Sequence, residues 1–223
     1  MGDRFCVFSG GKPEFRKGQD IVLAAFAIFA RCHPEALLVI AWHSPWPQVA
    51  ATLNRSALIN DVVFASDGCI DVTGWAVANG VDARQVIDLG RVPNAQMGTV
   101  LREMDVAVFP NRCESGTNQV AMECMACAVP VVLSQNTGHL DLIEDDNCYR
   151  LEIQGEVDGA GAAFANVSGW GESSVEELVE RLEEVFADRT VARRRGRQGA
   201  LKLADLTWAR TAAQMKQVVL AHS

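Results

Sequence analysis

Residues 105–139 read DVAVFPNRCESGTNQVAMECMACAVPVVLSQNTGH. The apolar run VAVF at 106–109 stops at Pro110 and has the character of a strand buried on both faces of a parallel sheet. A polar turn follows at 111–118, with Gly116 in its middle, and then an Ala- and Met-rich stretch of helical character at 120–128. The run VPVVL at 129–133 reads as the next buried strand, and Gly138 closes another turn. A strand, a glycine turn and a helix in that order bring free backbone N–H groups and the positive end of a helix dipole to one point, which suits an anion. An ordinary βαβ unit without a ligand has the same outline. Glu123 favours the functional reading, because carboxylates seldom occupy apolar helix faces unless paired or hydrogen-bonded.

Upstream, residues 5–9 form a first strand that runs into GGKPEFRKG at 10–18. This loop is glycine-rich and cationic, with Lys12, Arg16 and Lys17 close together. A helix over 20–31 follows, with Ile21, Ala24, Ala25, Ile28 and Phe29 at helical spacing. The loop fits neither the P-loop nor the dinucleotide fingerprint GxGxxG, and a solvated basic loop is the plain alternative. Further strands are expected at 37–42, 62–65, 86–89 and 149–153. Helices are expected at 47–58 (with Pro45 and Pro47 near its start), 72–79, 94–103 with Asn94 as its cap, and 140–144. This alternation predicts an α/β fold, a Rossmann-like three-layer αβα arrangement with a mostly parallel sheet.

The glycine-rich segment 154–174 reads as a loop or insertion, and Gly159-Ala160-Gly161 within it lacks the strand-to-helix context of a nucleotide loop. An amphipathic helix is expected at 174–186. The basic run Arg193-Arg194-Arg195 with Arg197 reads as a solvated helix face. A C-terminal helix falls within 204–223, spanning 207–220, with Trp208 as an aromatic anchor. No repeat and no linker divides residues 1–223, so a single domain is expected. His33 and His43 read as structural.

The chain has 223 residues, 49% apolar and 22% charged, an ordinary globular composition. Its formal net charge of −8 argues against a nucleic-acid partner held by broad electrostatics, while leaving room for a local basic pocket. Seven scattered cysteines point to reduced thiols and a cytoplasmic location. Cys124 and Cys127 form a CxxC inside the helix with no second pair at zinc spacing, so they read as small buried residues. No apolar run approaches bilayer-spanning length, and the first residues lack a signal-peptide layout.

Two separated motifs now join. Phe8-Ser9-Gly10-Gly11 with Arg16-Lys17-Gly18, and then Glu114-Ser115-Gly116-Thr117-Asn118 with residues 121–132 (AMECMACAVPVV), resemble the C-terminal, donor-binding half of retaining glycosyltransferases of the GT-B fold. That group is related to bacterial mannosyltransferases and to glycogen and sucrose synthases. The resemblance covers nearly the whole chain. It implies transfer of a hexosyl group from a nucleoside-diphosphate sugar, linked to UDP, GDP or ADP, with anomeric configuration kept. By the same resemblance Lys17 binds the donor diphosphate, and Gly116, Thr117 and Asn118 offer N–H groups to it. Glu123 holds the ribose hydroxyls, Glu114 touches the donor sugar, and Arg91 and Val92 pack on the base.

Two departures stand out. The spacing between Glu114 and Glu123 is one residue longer than the family's usual, which places Ser115 in the first glutamate's slot. The arginine usual after the loop glycine is Gly11 here, with Lys12 next door to supply charge. An N-terminal acceptor-binding domain has no counterpart in the chain, so the resemblance implies a partner domain or separate subunit. Any membrane association is expected only through that missing half.

Negative charge grows on the diphosphate as the sugar–phosphate bond breaks, and preorganised charge at a leaving group is usually the largest catalytic term. Lys17, then Lys12 or Arg16, are the expected sources. Without the Asp-x-Asp of metal-dependent glycosyltransferases, no metal and no cofactor beyond the donor substrate is expected. His139 is expected near the mouth of the site, as a donor-sugar contact or a surface residue. The other readings are a nucleotide-sugar-binding module without catalysis, a different enzyme on the same architecture, and a purely structural domain.

Overall fold

The computed structural model describes residues 3–157 and 167–221. Six short strands, β1 (Phe5–Gly10), β2 (Ala36–Ala41), β3 (Val86–Asp88), β4 (Val106–Phe109), β5 (Val131–Ser134) and β6 (Tyr149–Leu151), form one sheet in the order β3-β2-β1-β4-β5-β6. Every pairing in it is parallel. Side chains alternate between two apolar layers. Phe5, Val7, Leu38, Ile40, Val106 and Val108 face one layer, whose helical side is α1 (Gln19–Cys32), α2 (Val72–Ala78) and α5 (Val175–Ala187). Cys6, Phe8, Leu37, Val39, Ala107 and Phe109 face the other, against α3 (Asn94–Leu101) and α4 (Gln119–Ala126). Both faces of the central strands are dry, which explains their unbroken apolar runs. This is the expected three-layer αβα arrangement. Strand order reverses between β1 and β4, and open α/β sheets bind ligands beyond the carboxyl ends of the strands at such a switch point.

Several local expectations change. The helix expected at 47–58 is a 3-10 helix, Pro47–Arg55, with proline at its start removing an N–H donor. Residues 62–65 join no sheet. Asp67 and Gly68 turn the chain back, so only an isolated antiparallel bridge forms between Phe64 and Ile70. Asn94 does not cap α3: Pro93 holds the cap position, and Asn94 is the first helical residue. The turn expected as a helix at 140–144 is a 3-10 segment, Thr137–Asp141.

Within 154–174, Gln154–Gly155 (β7) and Glu172–Ser173 (β8) pair antiparallel, so part of the expected loop is a short ribbon. Gly159-Ala160-Gly161 lies outside the described residues. Ser174 caps α5 by accepting from the Glu177 N–H at 3.1 Å. The basic run lies in α6 (Arg189–Ala204), where Arg194 and Arg195 approach Asp146 at 3.5 and 3.4 Å.

Trp208 is no anchor. It opens α7 (Trp208–Ala221) with 89% of its surface exposed, and every described residue of α7 is exposed. His33 is structural as expected, stacked against Phe29 and Phe186, whereas His43 is an exposed residue just past β2. Among the described residues no helix is long and apolar enough to cross a membrane.

Candidate functional site

Three loops meet at the carboxyl end of the sheet. The first leaves β1, passes Gly11 and a 3-10 turn at Phe15–Lys17, and enters α1 through Gly18. The second runs from Pro110 after β4 to Asn118 at the start of α4, and the third follows β5 through Thr137 and Gly138. Their backbones interlock. Arg112 N–H donates to the Arg16 carbonyl at 2.8 Å, and Gly138 N–H donates to the Glu114 carbonyl at 3.2 Å. Two glycines are required for this closeness. Gly18 has φ +69°, and a Cβ there would lie 2.2 Å from the Pro110 oxygen; a Cβ on Gly138 would lie 1.4 Å from the Gly116 oxygen.

The charged side chains follow from that backbone. Glu114, buried between the loops, makes an ion pair with Lys17 and lies 3.2 Å from Arg16 Nη1. Asn111 donates to the same carboxylate, and the Glu114 N–H donates to Thr137 Oγ1 at 2.8 Å. Burial pushes the Glu114 carboxyl up, but Lys17 and Arg16 outweigh it and hold the group below its usual range. Burial pulls the Lys17 ammonium below its usual value, partly offset by Glu114. A second carboxylate, Glu14, takes Lys12 and shares Arg16: Lys12 Nζ lies 2.8 Å and Arg16 Nε 2.7 Å from it.

Lys12, Arg16, Lys17 and Glu114 are therefore brought together as expected. Glu114 points in to the cations, and Ser115 is exposed. Gly116 and Thr117 sit exposed on the rim, and Asn118 is buried, accepting from the Ala121 N–H at 3.2 Å to cap α4.

Two residues lie differently from the expectation. His139 is fully buried and not at the mouth. Asn118 Nδ2 donates to its Nε2 at 3.1 Å, and its Nδ1 lies 2.9 Å from Ser134 Oγ and 3.2 Å from the Ser134 carbonyl. Burial, with no carboxylate directly bonded to it, brings its pKa down to about 4. Glu123 is on no buried face. The buried side of α4 is Ala121, Cys124 and Met125, so Glu123 is exposed. Partial burial without a neighbouring cation still pushes its carboxyl up from the usual range. Arg91 and Val92 follow β3, two strands from β1, and among the described residues form no hydrogen bond or ion pair with the charged cluster: Arg91 is exposed and Val92 half-buried.

Sequence reading missed Glu14, Asn111 and Arg112. Arg112 is almost fully buried, donating to Asp20 at 2.9 and 2.6 Å, to the Phe15 carbonyl at 2.6 Å and to Glu172, with its guanidinium 3.8 Å over the Phe15 ring. It ties the first loop to α1 and to the β7–β8 ribbon. The available signal was a polar pair, Asn111-Arg112, directly after a strand that ends in proline.

This sheet order is that of doubly wound, Rossmann-like α/β domains, with a basic glycine loop at its switch point. The chain belongs to the glycosyl transferases group 1 family, whose model matches residues 3–168. Solved structures share the fold. Sucrose-phosphate synthase from Thermosynechococcus elongatus is 20% identical with TM-score 0.71, over 100% of this chain and 47% of that one. The C-terminal domain of the group 1 glycosyl transferase LpcC from Francisella tularensis is 15% identical with TM-score 0.61, over 91% and 85%. Anabaena HepE in complex with UDP is 16% identical with TM-score 0.65, over 99% and 50%. The chain thus spans about half the length of sucrose-phosphate synthase and of HepE. No curated protein matches it.

Proposed function

We propose that this chain is the donor half of a retaining hexosyltransferase and holds the diphosphate of a nucleoside-diphosphate sugar between the loops after β1 and β4. One observation carries the reading: Lys12, Arg16 and Lys17 converge on Glu14 and on Glu114 of the β4–α4 loop, at the topological switch point. Each charged hydrogen bond to a phosphate oxygen contributes about 1.5–3 kcal/mol, whereas an exposed helix N-terminus contributes about 0.3–1 kcal/mol. Lys17 and Arg16 are therefore the main stabilisers of the leaving diphosphate, with the Gly116, Thr117 and Asn118 N–H groups as the lesser contribution. Glu123, whose carboxylate is exposed and unpaired among the described residues, is free to accept the ribose hydroxyls. Arg91 and Val92 are assigned to the base. Glu114 serves first to orient Lys17 and Arg16, beside any contact with the sugar.

UDP bound in HepE supports a nucleotide-sugar partner, here UDP-, GDP- or ADP-linked. The acceptor is assigned to a second domain or subunit, and the seven free thiols support a reducing, cytoplasmic setting. No metal or cofactor is assigned to the reaction. Titration calorimetry with UDP, GDP, ADP and their sugars tests the reading. A nucleoside diphosphate binds, and Lys17→Ala weakens it by roughly 10- to 150-fold, the range of one charged hydrogen bond. Absence of binding, or unchanged affinity in Lys17→Ala, refutes it. Glu123→Ala tests the ribose assignment separately.

A further inference from the structure

We propose that Glu14 is a specificity-determining residue of this site, and that its carboxylate lowers the positive charge facing the diphosphate so that free nucleoside diphosphate is not retained over the nucleotide sugar. The inference rests on the diphosphate reading of the β1 loop. Three cations, Lys12, Arg16 and Lys17, face two carboxylates, Glu14 and Glu114, so the cluster keeps a small positive excess. Arg16 bridges the two carboxylates, 2.7 Å from Glu14 Oε1 and 3.2 Å from Glu114 Oε2.

The loop is also held by contacts other than the Glu14 carboxylate: Gly11 N–H to the Ala41 carbonyl at 3.1 Å, Phe15 N–H to Thr52 Oγ1 at 3.0 Å, Lys17 N–H to the Glu14 carbonyl at 2.8 Å, and Gln19 Nε2 to the Lys12 carbonyl at 3.0 Å. Glu14 Oε1 is buried and accepts no hydrogen bond among the described residues, although Arg16 Nε lies 2.7 Å from it. A largely buried carboxylate without its full set of donors destabilises the free protein. Its effect on the neighbouring cations is the property left to explain its presence.

An unesterified diphosphate carries more negative charge than the same diphosphate joined to a sugar. A carboxylate beside the binding cations therefore disfavours the free diphosphate more than the esterified one. One charge at a few ångströms in a partly hydrated site is worth about tenfold in affinity.

Titration calorimetry of the full chain with inorganic diphosphate, UDP, GDP and UDP-glucose, at low and high ionic strength, tests this on wild type, Glu14→Gln, Glu14→Asp and Lys17→Ala. Glu14→Gln is expected to bind inorganic diphosphate and free nucleoside diphosphate about tenfold tighter, with a smaller gain for UDP-glucose and a steeper salt dependence. Glu14→Asp, which keeps the charge, stays near wild type. The inference is overturned if folded Glu14→Gln binds free diphosphates no tighter, if Glu14→Asp behaves as Glu14→Gln does, or if Glu14→Gln fails to fold and Glu14 proves to be a loop brace. Wild type that binds no diphosphate ends the diphosphate reading itself. Wild-type binding lost in Lys17→Ala, with no gain in Glu14→Gln, ends only the role of Glu14.

Discussion

His139 makes the stability of this domain depend on pH in a range where carboxylates contribute less. The imidazole is fully buried, with Asn118 Nδ2 donating to Nε2 and Ser134 beside Nδ1. Adding a proton at Nε2 would set one donor against another and strip Asn118 from the α4 cap. Burial brings the pKa from its ordinary 6.5 down to about 4; Glu114 nearby opposes that shift and Lys17 adds to it. Below pH 6.5 the unfolded chain takes up a proton that the folded chain refuses until about pH 4, so stability falls as pH falls through that window. The whole effect is about 3 kcal/mol, and about 2 kcal/mol of it is lost between about pH 7 and 5. For a chain of this size that is a fall in Tm of about 4–8 °C. Urea unfolding of wild type and His139→Gln at both pH values isolates the term, since other titrations cancel in the difference. Wild type should lose about 2 kcal/mol more than His139→Gln. Equal losses in the two proteins would refute a buried neutral histidine.

Other substitutions probe the same architecture. Arg112→Met leaves Asp20, which has no exposed surface, as an unpaired buried carboxylate, and should cost about 3–5 kcal/mol in denaturant unfolding. Gly138→Ala drives a methyl into the Gly116 oxygen, so thermal unfolding should show a loss of several degrees or an insoluble product. Trp208→Ala removes an exposed ring and should shift the stability of this chain by less than about 0.5 kcal/mol; a larger loss would show that α7 packs against the domain in solution.

Much of the fold was legible because β1, β4 and β5 are dry on both faces and therefore unbroken in sequence. The first motif loop was legible because glycine must occupy Gly18, where backbone meets backbone, and Gly138 marks the third loop in the same way. What was not legible depends on partners distant in the chain. Arg112 sits in a polar turn and reads as exposed, yet its burial comes from Asp20 and Glu172, 92 and 60 residues away. His139 follows a glycine beside polar residues, and its burial comes from Asn118 on another loop. Glu123 is a different case. With Ala121, Cys124 and Met125 buried at helical spacing, position 123 falls on the opposite side of α4, so periodicity alone could have placed it outward. Trp208 misled because a large aromatic side chain implies a core only where some surface reaches it.

The loops that carry the cations are placed by backbone, and Glu114 orients Lys17 and Arg16 within them. Gly18, Gly138, the Arg16 carbonyl and the Arg112 N–H fix the loops. Glu14 and Glu114 pair with the positive ends. Such a site presents its charge with little rearrangement of main chain, the condition under which fixed charges stabilise a developing anion most. It also means that an entering phosphate competes with carboxylates already on Lys17 and Arg16, so net affinity reflects a difference between two anions for the same donors. Substitutions at Glu14 and at Lys17 should therefore move diphosphate affinity in opposite directions while leaving the fold in place.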